Sequence, residues 1–201
     1  MYKRQVHKNL LASLSPIVDC GVHYLDVMCQ ITQSKPLSVS AIGVRLSDEI
    51  PTDNYNYGQL QIRFDDGSVG WYEAGWGPMI SETAFFVKDV IGPNGSVSIV
   101  SDDDTFKKDS DNLENHTKNN CLKIHSSKLD SDHKFISPNK KIVYDEDPSH
   151  QDLCDYEQEY FYKAICENID LKSHMEDAYK SLQIALACDE AVKKSKTVFL
   201  D

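Results

Sequence analysis

Two short turn signatures constrain this chain more than anything else in it. Asp65-Asp66-Gly67 lies between apolar, strand-like stretches at 58–64 and 68–74, and Gly92-Pro93-Asn94-Gly95 lies between similar stretches at 84–91 and 96–100. Asp-Gly and Asn-Gly steps accept the positive φ of tight turns, so each stretch folds back on the one before it. A further strand is expected over 37–46, rich in Val and Ile with partial alternation. Strands joined by tight hairpins are antiparallel neighbours, which sets the middle of the chain as a meander.

Helical spacing brackets this meander. Ser15 is a favoured N-cap, and Pro16 suits the first helical position because the N–H it lacks would have no partner there. From Ile17 the apolar residues Val18, Val22, Leu25, Met28 and Cys29 recur at helical spacing to about Gln33, and Ser34-Lys35-Pro36 stops the run. Two more helices are expected near the end. Over 152–168, Leu153, Tyr156, Tyr160, Phe161, Ala164 and Ile165 share one broad face. Over 175–194, Ala178, Leu182, Ala185, Leu186 and Ala191 do the same, and Lys193, Lys194 and Lys196 complement the helix dipole. Tyr160, Phe161 and Met175 are assigned to the core. A last strand is expected over 197–200. Helices and strands are segregated, so the class is α+β. No internal repeat is visible.

Composition shifts at Ser101, and Asp, Lys, Asn and Ser dominate to about His150. This stretch reads as an elaborated sheet edge with strand-like pieces at 121–125 and 141–144 and a mobile loop over 102–120. Asp102-Asp103-Asp104 lacks the ligand spacing and glycine of a calcium loop, and reads as a solvated turn.

The whole chain has 201 residues, enough for one domain or one and a half. Its 21 Lys and Arg against 32 Asp and Glu leave a formal charge of −11, without the basic footprint that a nucleic-acid backbone needs. No apolar run approaches the roughly 20 residues of a membrane span. Lys3, Arg4 and Lys8 ahead of Leu10-Leu11-Ala12 imitate an export signal, but the apolar run is short and ends in Ser13-Leu14-Ser15-Pro16 without a cleavage site. The six cysteines (Cys20, Cys29, Cys121, Cys154, Cys166 and Cys188) form no C-x-x-C pair and read as reduced thiols of a cytoplasmic protein. Cys121 and His125 lack two further ligands at sensible spacing, so no metal site is assigned.

Met1-Tyr2-Lys3-Arg4-Gln5 is similar to the translation of a transposon end used in preparing sequencing libraries, GTG-TAT-AAG-AGA-CAG. The expectation is a non-native scar over 1–5, a remnant or linker over 6–14, and a native N-terminal part that is missing.

The stretch that carries chemistry is Asp19-Cys20-Gly21-Val22-His23-Tyr24-Leu25-Asp26. On a helix Asp19 lies one turn before His23, and Asp26 lies three residues beyond it. A carboxylate beside an imidazole orients the ring, selects its tautomer and raises its basicity, as a general base near neutral pH requires. Gly21 inside a helix costs about 1 kcal/mol relative to Ala, which implies that something approaches the backbone closely there. Against this, Asp near a helix start is favourable on dipole grounds alone, and Asp/His pairs at this spacing are common on helix surfaces.

Asp19-x-Gly21-x-His23-x-x-Asp26 resembles the Asp-x-Gly-x-His-x-x-Asp helix of the Gfo/Idh/MocA family of NAD(P)-dependent sugar and polyol oxidoreductases. The stretch Gln61-Ile-Arg-Phe-Asp-Asp-Gly-Ser-Val-Gly70 is similar to the family's second and third sheet strands, and Val90-Ile-Gly-Pro-Asn-Gly-Ser-Val-Ser-Ile99 to its Gly-x-x-Gly hairpin. Glu176-Asp-Ala-Tyr-Lys-Ser-Leu-Gln-Ile-Ala-Leu-Ala187 is similar to its closing helix. The likeness covers most of 15–201 and is weakest over 101–150.

The resemblance implies a substrate and oligomerisation domain, a mostly antiparallel open sheet with helices on one face, whose Rossmann partner domain is absent. This chain has neither a G-x-G-x-x-G after an opening strand nor the Glu-Lys-Pro whose lysine completes the family's catalytic group, and Leu14-Ser15-Pro16 replaces the glycines common ahead of the aspartate.

By the same resemblance His23 is the acid/base that takes the substrate hydroxyl proton, Asp19 its neighbour in the site, and Asp26 a support for the fold. NAD or NADP would serve the full-length parent, and this chain alone would bind no dinucleotide and turn over nothing. Among the aromatic residues around the second and third strands, Trp76 and Tyr57 sit at strand ends and are assigned as substrate contacts; sheet packing or an oligomer interface is the other reading. The substrate would be a small sugar, sugar derivative or cyclitol, and the partner a second copy of the chain through the sheet. Two alternatives keep this fold: a branch of the family that cleaves glycosidic bonds with a tightly held NAD, and a non-catalytic binding or dimerisation domain.

Overall fold

A computed structural model describes residues 10, 12–77, 88–100, 121–144 and 148–200. The chain divides into two compact units, Met1–Ile80 with Asp170–Asp201, and Ser81–Ile169.

In the first unit Ser15 caps the opening helix as its sequence suggests, its Oγ accepting from the Val18 N–H at 3.1 Å. The helix then departs from expectation. Ile17–Gly21 forms a π-helical turn, and only from there does α1 (Val22–Thr32) begin. A π turn adds a residue per turn, and five residues of apolar spacing are too few to register that widening. Gln33 closes α1 in a left-handed conformation, its N–H donating to the Cys29 carbonyl at 2.9 Å.

Strands β1 (Pro36–Val44), β2 (Tyr57–Phe64), β3 (Val69–Gly75) and β8 (Val198–Phe199) form a four-stranded antiparallel sheet in the order β3-β2-β1-β8. The hairpin at Asp65-Asp66-Gly67 joins β2 to β3 as its sequence predicts, with Leu60 opposite Tyr72 and Ile62 opposite Gly70. The sheet alternates. Val39, Leu60, Ile62 and Phe64 are buried, whereas Ile42, Val69 and Trp71 are exposed. The buried face packs with Ile17 and Leu25 of the opening helix and with Ile184, Ala185 and Cys188 of α3 (Lys172–Lys194) in one core.

The second unit holds another four-stranded antiparallel sheet, β4 (Lys88–Gly92), β5 (Gly95–Ile99), β6 (Cys121–Ser126) and β7 (Lys140–Val143), in that order. The second hairpin also lies where its turn residues place it, with Gly92 opposite Gly95. β6, expected in an elaborated edge, is an interior strand between β5 and β7. The expected loop over 102–120 and the start of the strand at 84–87 lie outside the described residues.

Helix α2 (His150–Glu167) begins with a reciprocal capping box: Ser149 Oγ accepts from the Asp152 N–H, and Asp152 Oδ2 accepts from the Ser149 N–H at 2.9 Å. Its apolar stripe corrects one expectation. Tyr160 and Phe161 are 46% and 58% exposed, and Met175 at the start of α3 is 68% exposed, so none of the three belongs to the core. Periodicity defines a face that can be covered; it does not supply the surface that covers it.

Candidate active site

The polar side chains of the motif helix have two sets of neighbours. Asp19, in the π turn, takes the Cys20 thiol on Oδ2 at 3.3 Å. Trp76 also hydrogen-bonds that thiol, and Tyr24 stacks on Tyr72 with ring centroids 4.9 Å apart. Gly21 explains itself at this point. A Cβ there would stand 3.1 Å from Tyr72 Cε1, so the close approach implied by a helical glycine is the ring of a sheet tyrosine.

Burial, reinforced by the hydrogen bond to Asp19 and its charge, pushes the Cys20 thiol up to about 12. The Tyr72 hydroxyl is also raised by burial, with the Cys20, Tyr24 and Asp19 charges adding to it. Both groups are neutral at pH 7. Burial thus holds Cys20 as the thiol, whereas the thiolate is the reactive form.

Asn56 fastens this corner. Its buried side chain accepts from the Leu46 N–H at 2.7 Å and donates to the Trp76 carbonyl at 2.8 Å, and the Trp76 N–H returns a 2.7 Å bond to the Asn56 carbonyl.

His23 has other neighbours. It is exposed and lines a groove of about 320 Å³ between α1 and α3, whose other polar walls are Asp26, Gln30, His174, Asp177 and Ser181. The Ser181 hydroxyl lies 3.1 Å from Asp26 Oδ1 and 2.9 Å from the Asp177 carbonyl, and Gln30 Nε2 donates to Asp177 Oδ2 at 3.3 Å. Asp26 thus ties α1 to α3 while standing in the same groove as His23. No hydrogen bond joins Asp19 to His23, so the two residues expected to act together are neighbours on one helix with separate contacts.

Of the aromatic pair, Trp76 stands beside Cys20, whereas Tyr57 has other partners. Its hydroxyl donates to Glu73 Oε1 and accepts from Gln59 Nε2, each at 2.8 Å, on the sheet face away from the core. Sequence reasoning did not single out His174, Asp177 or Ser181. Their i, i+3 and i+7 spacing along one helix face is the signal that would have found them.

Among the described residues no group of three or more His, Cys, Asp or Glu is placed to hold a metal ion, and no helix is long and apolar enough to cross a membrane. All six cysteines are free. Dinucleotides are held at a glycine-rich turn from a parallel strand into a helix. Every strand pair among the described residues is antiparallel, so the described residues do not form that cradle.

Antiparallel strands laid on helices, with an imidazole on an open polar groove, define an α+β domain. The chain belongs to the Gfo/Idh/MocA family: residues 13–200 match the model described as the oxidoreductase family's C-terminal alpha/beta domain. No curated protein matches the chain. Similar solved structures include an aldose-aldose oxidoreductase from Caulobacter crescentus complexed with glycerol (TM-score 0.64, 16% identity, 92% of this chain and 47% of that one). A UDP-N-acetylglucosamine 3-dehydrogenase from Acidithiobacillus ferrooxidans is another (0.58, 18%, 86% and 45%). A third is an oxidoreductase from Agrobacterium radiobacter in complex with NAD+, L-tartaric acid and magnesium (0.62, 13%, 95% and 51%). The chain spans about half the length of the structures it matches.

Proposed function

We propose that this chain is the C-terminal, substrate-side part of an NAD(P)-dependent oxidoreductase that oxidises a hydroxyl of a sugar, sugar derivative or cyclitol. The observation that carries this reading is His23, exposed on the wall of a polar groove in a chain of an oxidoreductase family. An imidazole in that position receives the proton of a substrate hydroxyl during oxidation and returns it in the reverse direction. Asp19, one turn earlier and not among the residues lining that groove, is proposed to take a second hydroxyl of the ligand, and Trp76, beside Cys20, an apolar sugar face; Tyr57 is the weaker contact because its hydroxyl is already engaged.

The nicotinamide carrier would be held by a domain outside this chain, so the chain alone binds no dinucleotide and turns over nothing. The reading places the protein in the cytoplasm, supported by the six free thiols. It pairs two copies through the open face of the first sheet, supported by the exposed Ile42, Val69 and Trp71.

In the protein completed with its upstream domain, His23→Ala lowers turnover with a free polyol by about 10²–10⁴-fold while substrate affinity changes little. Unchanged turnover would remove His23 from its assigned role. Net NADH or NADPH formation supports the dehydrogenase, and glycoside cleavage without net nicotinamide change would replace it with the bond-cleaving alternative.

A further inference from the structure

One half-buried carboxylate joins three parts of the first unit. Asp189 lies near the end of α3, its side chain 18% exposed. Its Oδ1 accepts from the Ser15 hydroxyl at 2.6 Å and also from the Tyr55 hydroxyl. Oδ2 faces Lys193 Nζ at 3.8 Å. Ser15 and Tyr55 are each 5% exposed, so these bonds form out of water, where hydrogen bonds to a charged group are among the strongest.

Each partner is itself held. The Ser15 oxygen that donates to Asp189 also accepts from the Val18 N–H at 3.1 Å, so the carboxylate takes the hydroxyl hydrogen and leaves a lone pair for the Val18 amide. The Tyr55 ring rests on two glycines paired across β1 and β2, Gly43 and Gly58. A Cβ on Gly43 would meet Tyr55 Cγ at 2.7 Å, and one on Gly58 would meet Cε2 at 2.9 Å. The sheet thus fixes the ring, the ring fixes Asp189, and Asp189 fixes the residue that caps the π turn.

We infer that Asp189 is a positioning residue, which sets the start of the Asp19–His23 helix through Ser15 against a tyrosine seated on the sheet. Its service to catalysis rests on the acid–base reading of His23; the linkage of α3, sheet and helix start does not.

The test uses the chain itself and reads no turnover, so it stands or fails apart from the enzymatic reading. Amide hydrogen exchange and the NMR resonances of the His23 ring are compared among Tyr55→Phe, Asp189→Asn and Asp189→Leu. Tyr55→Phe and Asp189→Leu are expected to speed exchange of the Val18 and Asp19 amides about tenfold or more and to shift the His23 ring resonances, with Leu60 and Ile62 unchanged. Asp189→Asn keeps an acceptor oxygen for both hydroxyls but loses the charge that strengthens those bonds and the contact with Lys193, so it is expected to fall between the parent chain and Asp189→Leu. Uniform acceleration at all amides, immobile His23 resonances, or Asp189→Asn matching Asp189→Leu would each overturn the inference. Should Asp189→Leu fail to fold, Tyr55→Phe, which removes one hydroxyl and keeps the ring, decides the question alone.

Discussion

Helices α2 and α3 have the same design on paper and opposite fates in the fold. Each alternates apolar and charged residues at helical spacing. On α3, Ile184, Ala185, Cys188 and Ala191 are buried in the core of the first unit, beneath strands whose inward residues alternate at period two, although Ala178, Leu182 and Leu186 of the expected stripe are exposed. On α2 only Ala164 is buried, while Tyr156, Phe161 and Ile165 remain open to water. An amphipathic stripe therefore announces that a face can be covered; what covers it comes from elsewhere in three dimensions. Residue size differs too. The α3 stripe is small where it meets the sheet, with Ala185, Cys188 and Ala191 admitting close approach, whereas α2 presents tyrosine and phenylalanine.

The contrast breaks first under truncation of the two stripes. Ile184→Ala is expected to cost about 2–5 kcal/mol, as for other buried large-to-small changes. Phe161→Ala is expected to stay within about 0.5 kcal/mol, as for exposed sites. Urea unfolding measures both, and a Phe161→Ala loss matching that of Ile184→Ala would mean that α2 buries its stripe in solution.

A smaller effect separates the helix starts. Ser149→Ala removes half of the capping box and is expected to cost α2 about 0.5–2 kcal/mol. Faster amide exchange confined to its first turn, with α3 unaltered, is the readout.

The smallest effect is in pH. The Ser149 side chain and backbone hold the Asp152 carboxyl below its ordinary value of 3.8. A carboxyl lowered by folding stabilises the helix start above its unfolded value, and that contribution fades as pH falls through the lower folded value. Protection of the first-turn amides of α2, relative to the intrinsic exchange rate at each pH, should thus fall below about pH 4 in the parent chain, and lose that acid-dependent component in Asp152→Asn.

Much of this was legible in one dimension. Asp65-Asp66-Gly67 and Gly92-Pro93-Asn94-Gly95 placed both described hairpins, and Ser15-Pro16 placed the helix start, because turns and caps are set by local backbone demands. Gly21 was legible as a close approach, though not that Tyr72 makes it. The site was half legible. Asp19, His23 and Asp26 follow from spacing and resemblance, but the π turn is a small change in winding that no apolar pattern of five residues reveals. His174, Asp177 and Ser181 escaped notice because their significance lies in facing α1 across a groove, some 150 residues away in the chain.

Local chemistry alone settled which segments wind, which extend and where they reverse, since those choices depend on neighbours a few residues apart. Tertiary structure decided the rest: which amphipathic face is buried, that Asp26 answers to Ser181, and that one oxygen of Asp189 serves both Ser15 and Tyr55. These are meetings between distant residues, and a carboxylate carries no mark in the sequence of the hydroxyl it will accept.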